Sequence, residues 1–131
     1  MDLYRSMIPD DDGCPVAGRS ARTLGVRIPR DISPDASGVV FPGTGGLSTA
    51  PEAWENLPHH RRPPRLGKGS CGHEDDRVYV AKDAEIVQDR SLLVRVDSTT
   101  HALVEPSLPT PLTDYEQELA STRYDWLDTG L

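Results

Sequence analysis

The sequence predicts one α+β domain of short, mostly antiparallel strands with a helix near its C-terminus. Three short runs of β-forming residues follow one another across short polar links between positions 78 and 105. That order favours an antiparallel meander. From position 113 the apolar side chains recur at helical spacing instead. A chain of 131 residues suits a single core, and its 12 prolines and 11 glycines demand many turns and irregular connections.

The elements are expected in the following order. Asp2 to Ile8 is a first strand, ended by Pro9 and the turn Asp10-Asp11-Asp12-Gly13. That turn lacks the alternating ligands and distant glutamate of a calcium loop. Ser20 to Leu24 reads as one helical turn stopped by Gly25, and Val26-Arg27-Ile28 as a strand before Pro29. Val39-Val40-Phe41 is a short buried strand. In Thr49-Ala50-Pro51-Glu52 the spacing of a capping box predicts a helix from Ala50 to Leu57, closed by Pro58. Residues 58–74 form a mobile surface loop carrying Arg61, Arg62, Arg65 and Lys68. Val78 to Val80, Leu92 to Val96 and His101 to Glu105 are the meander strands. Thr113-Asp114-Tyr115-Glu116 is a second capping box, and Tyr115, Leu119, Thr122 and Trp126 make the apolar face of the closing helix.

Composition narrows the function. The formal charge of −7 argues against broad nucleic-acid binding, which needs excess positive charge. Only 36% of residues are hydrophobic and 5% aromatic, so the core is modest. Cys14 and Cys71 are too few for a disulfide framework and fit a reducing compartment. The start MDLYRSMIPDDDG has no apolar signal core, and no run reaches membrane-spanning length. Cys71, His73, Asp75 and Asp76 lack the paired spacing of zinc ligands, so no metal is expected.

The stretch PGTGGLST at 42–49 admits two readings. Gly43, Gly45 and Gly46 suit a tight turn, and they also suit close approach of a ligand. A phosphate loop of the NTPase kind would need a lysine that does not follow here, and the stretch is not GxGxxG. Along the third strand His101, Leu103 and Glu105 share one face. Four residues of strand span about 13 Å, so His101 and Glu105 cannot hydrogen-bond as base and orienter, although both can touch one extended ligand. GxSxG is absent.

The order of these pieces resembles a family of small toxins. Leu3-Tyr4-Arg5 at the start, Thr44-Gly45-Gly46-Leu47-Ser48-Thr49 in mid-chain, then DRVYVAKDAEI, LLVRVD and Thr99-Thr100-His101-Ala102-Leu103-Val104-Glu105-Pro106 before the closing helix are similar to type VI secretion effectors with an ADP-ribosyltransferase-like fold, and to their bacterial and fungal relatives. The resemblance implies small, mostly antiparallel sheets around a cleft that binds NAD. It implies cofactor-binding positions at Tyr4, Arg5, Thr44, Ser48 and Thr49, with Arg5 on a phosphate or ribose and Ser48 and Thr49 bracing the nicotinamide ribose. It implies catalytic positions at His101 and Glu105, although the usual catalytic glutamate motif of that class is not matched. The expected function is a toxin acting in the cytoplasm, delivered without a signal peptide, transferring ADP-ribose to a target and restrained by a cognate immunity or antitoxin protein. The alternatives are a non-enzymatic protein-binding module using loop 58–74 and the polar sheet face, or an RNase-like toxin using the basic loop with His59, His60 and His101.

Overall fold

The computed structural model describes residues 1–131. Its centre is a six-stranded sheet in the order β5-β6-β3-β1-β4-β8, in which every pairing is antiparallel. These strands are β1 (Asp2–Met7), β3 (Leu47–Pro51), β4 (Arg77–Lys82), β5 (Leu92–Ser98), β6 (His101–Pro106) and β8 (Leu127–Asp128), and β2 (Val39–Val40) pairs with β7 (Thr110–Pro111) as a separate ribbon. Two α-helices, α1 (Asp83–Val87) and α2 (Leu112–Ser121), complete the α+β fold. No helix is long and apolar enough to cross a membrane.

The expected first strand forms and becomes central, because β4 pairs with β1 along its whole length. Of the expected meander, only β5 and β6 are neighbours. β4 lies on the far side of β3 and β1, two strands drawn from the first 51 residues. Neither Ser20–Leu24 nor Val26–Ile28 forms a helix or strand; those backbones run as turns, bends and irregular chain, with Leu24 in an isolated bridge to Ala17.

The helix expected from Ala50 does not form. Residues 47–51 are strand β3, and Thr49 Oγ1 donates to Ala102 O at 3.0 Å rather than capping a helix. The physical reason is local as well as tertiary: the residue before a proline is pushed out of the helical region, which keeps Ala50 extended. Glu52 follows at φ 73, a left-handed turn, and only a single 3₁₀ turn, Trp54–Asn56, survives. The second capping box is also unused. Helix α2 begins at Leu112 after Pro111 with no side-chain cap, and Glu116 binds Arg19 Nε and Nη2 at 2.6 and 2.8 Å instead. Its expected face is nevertheless buried: Tyr115, Leu119, Thr122 and Trp126 all turn inward, the last two from just beyond the helix.

The main core lies between the sheet and α2, where Leu3, Met7, Leu47, Tyr79 and Val104 meet Tyr115 and Leu119. Each fully buried aliphatic side chain there contributes about 1.5–3 kcal/mol. A smaller cluster of Ala50, Leu57 and Val78 seats the segment after β3 on the opposite face. Loop 58–74 is held by its own arginines. Arg62 donates to Leu57 O and Glu55 O beside Trp54, and Arg65 donates to Leu131 O, Glu74 O and Asp76 O.

Candidate functional site

The two halves of the sheet are joined at one narrow point. β1 meets β3 only where Leu3 faces Pro51 and Tyr4 faces Ala50. Continued in register, the next pairs would be Arg5 with Thr49 and Ser6 with Ser48, but the strands part there. These four residues flank a hollow of about 50 Å³, which Leu57, Pro58 and Arg61 close from the segment after β3, with Thr100 and His101 entering from the start of β6.

Arg5 spans the fork. Its Nε and Nη2 donate to Thr23 O at 3.2 and 2.7 Å, and Nη1 donates to Ser48 O at 2.8 Å, replacing the ladder bond that the parted strands cannot make. Arg5 is 7% exposed as a residue, and its guanidinium forms no ion pair. Burial pulls its pKa down to about 10, with Asp31 opposing and Arg61 adding to the fall. Asp31 is itself taken up by Arg27, whose N–H and Nη2 reach it at 2.7 and 2.9 Å. Arg61 is half-buried, lowered by burial and then by Arg27, and its side chain has no hydrogen-bond partner.

No carboxylate lines the hollow. Ser6 Oγ is buried there without a partner, although a buried hydroxyl is normally satisfied. Two guanidiniums and an unpartnered hydroxyl make the hollow complementary to a small anionic, hydrogen-bonding group. His101 Nδ1 lies 2.8 and 2.9 Å from the two carboxylate oxygens of Asp97.

Four of the seven expected site residues therefore meet: Arg5, Ser48, Thr49 and His101. Three do not line the hollow. Tyr4 packs toward Ala50, Leu57 and Val78 and borders a separate depression with Asp2, Val80 and Lys82. Thr44 is exposed, its hydroxyl donating to Phe41 O at 2.7 Å. Glu105 is fully buried at the far end of β6, where Oε1 accepts from Arg95 Nη2 at 2.7 Å and from Gly43 N at 3.1 Å.

The glycine stretch is a brace. A Cβ on Gly45, at φ +136, would lie 2.0 Å from Asp31 O, and one on Gly46 would lie 2.5 Å from Val104 O. The approach at Gly46 sets β3 beside β6 and so positions Ser48 and Thr49, while the one at Gly45 packs the stretch on the turn at Asp31. Sequence reasoning missed Ser6, Arg61 and Asp97 as site residues. Strand alternation argues against Arg5 and Ser6 serving one site, and only the parted strands expose both. Arg61 carried a weak signal, as a cation among prolines.

No family model, curated protein or solved structure matches the chain.

Proposed function

We propose that the hollow holds one end of an anionic nucleotide, and that the protein is a small toxin with an NAD-binding, ADP-ribosyltransferase-like cleft. The observation that carries this reading is the convergence of Arg5, Ser48, Thr49 and His101, from three separate stretches, at the fork between β1 and β3. At about 50 Å³ the hollow suits a phosphate or part of a ribose, since whole-ligand pockets run to about 300–1,000 Å³. The unpartnered Ser6 Oγ and the two guanidiniums fit such a group.

When bound, NAD supplies a glycosidic bond to nicotinamide whose cleavage releases ADP-ribose for transfer. The chain's own contribution starts with charge. Arg5 is pre-oriented by Thr23 O and Ser48 O, so little side-chain entropy is lost when an anion arrives. Arg61 stands without a partner on the covering segment and supplies the second cation. Ser48 makes no side-chain hydrogen bond within the protein and is free to meet a ribose hydroxyl, while Thr49 is fixed by its bond to Ala102 O. Leu57 and Pro58 shield this end from water.

The rival readings draw less on the geometry. His59 and His60 are exposed and do not line the hollow with His101, so the three histidines do not assemble as an acid–base set. Arg62 and Arg65 are taken up by backbone carbonyls of Glu55, Leu57, Glu74, Asp76 and Leu131, which leaves fewer free cations for a docking surface.

The test is induced cytoplasmic expression of the wild type, Ser48→Ala and His101→Ala at matched soluble levels, with growth and lysate NAD followed together. Wild-type arrest with NAD loss, relieved by both substitutions, is expected. Abundant soluble wild type with normal growth, unchanged NAD and no calorimetric NAD binding would overturn the proposal.

A further inference from the structure

We infer that Asp97 is the positioning residue for His101, holding the ring in the tautomer with its proton on Nδ1 and leaving the Nε2 lone pair for a hydroxyl-bearing ligand in the hollow. The inference deepens the reading above and rests on it for what the imidazole meets.

Both Asp97 oxygens lie within hydrogen-bond distance of one ring nitrogen, Nδ1, at 2.8 and 2.9 Å. A carboxylate only accepts, so in the neutral ring Nδ1 must be the donor and Nε2 the acceptor. The backbone is shaped for this contact. The β5–β6 register shifts between Val96, opposite Ala102, and Ser98, opposite His101. Asp97 is the extra residue of that bulge, a device that re-aims a side chain and recurs beside functional sites.

The carboxylate has no competing structural task. The tight turn after β5 is braced by Ser98, whose Oγ accepts from Thr100 N at 3.2 Å, whereas His101 is the only hydrogen-bond partner of the Asp97 side chain. The charged groups around the hollow are Arg5 and Arg61, which can only donate. A nitrogen acceptor at Nε2 complements them, because a ribose presents both hydroxyl donors and, through its phosphate, an anion.

The test combines ring-nitrogen NMR with calorimetry on the full chain. Among the 4 histidines, His101 is assigned by loss of its signals in His101→Gln. At pH 8 the wild type should show Nδ1 protonated and Nε2 bare. In Asp97→Asn, whose amide can donate as well as accept, that tautomer should lose its dominance, and Asp97→Glu should restore part of it. NAD affinity should fall about tenfold in Asp97→Asn, the loss of roughly one hydrogen bond, with thermal melting unchanged because the pair is exposed. A wild-type ring protonated on Nε2, or a tautomer and affinity indifferent to Asp97→Asn, overturns the inference. An Asp97-dependent tautomer in a wild type that binds no NAD supports the positioning role and sinks the cofactor reading alone.

Discussion

Replacing Gly45 by alanine should loosen the joint between the start of β3 and the turn at Asp31 far more readily than the same change two residues earlier. At Gly45 the backbone lies at φ +136 and the new Cβ would sit 2.0 Å from Asp31 O. Holding a non-glycine residue in that conformation costs about 1–3 kcal/mol. Relieving the clash separates the two backbones and breaks the bond from Gly46 N to Asp31 O, 3.1 Å long, worth about 1 kcal/mol. The sum is about 2–4 kcal/mol. Gly43 has φ +78 with nothing within 4 Å of an added Cβ, so Gly43→Ala should cost only about 1 kcal/mol, the penalty of a left-handed backbone alone. At about 4 °C per kcal/mol for a domain of this size, calorimetric melting should fall by about 8–16 °C in Gly45→Ala and about 4 °C in Gly43→Ala. Equal shifts would refute the brace. A Gly43→Ala protein that melts normally but loses anion binding would restore the phosphate-cradle reading of the loop.

Two further outcomes follow from the same contacts. Arg5→Ala removes charged donors from Thr23 O and Ser48 O, and should lower urea stability by about 2–4 kcal/mol after relief of the guanidinium's own desolvation; an unchanged midpoint would show that the fork stands without it. Asp31 has its carboxyl raised by burial but held below its ordinary 3.8 by the hydrogen bonds of Arg27. A depressed folded-state value gives stability that is full above 3.8 and lost as pH falls through the lower value. Asp31→Asn should therefore melt below the wild type at pH 7, by about 1–2 kcal/mol in stability. The gap should close in the acid range below 3.8, and a gap constant down to pH 2 would contradict the pairing.

The sequence by itself determined the class of the fold, an N-terminal strand, the β5–β6 hairpin and the buried face of the closing helix. Each of these depends on periodicity within a few neighbouring residues, and period two or 3.6 is legible without knowledge of partners. It also marked Arg5, Ser48, Thr49 and His101, which meet at the hollow, together with Tyr4, Thr44 and Glu105, which the fold keeps away from it. Tertiary structure decided the rest. β3 was hidden because Thr49-Ala50-Pro51-Glu52 satisfies a helix-start pattern while β6 on one side, and Leu3 and Tyr4 on the other, claim its backbone. The order of strands was hidden because β1 and β3 insert between β6 and β4 from far away in the chain. Above all, the site lies where two strands stop pairing: Arg5 and Ser6 both reach it because a gap suspends the alternation that would send them to opposite faces, and a gap is a property of two segments that neither encodes alone.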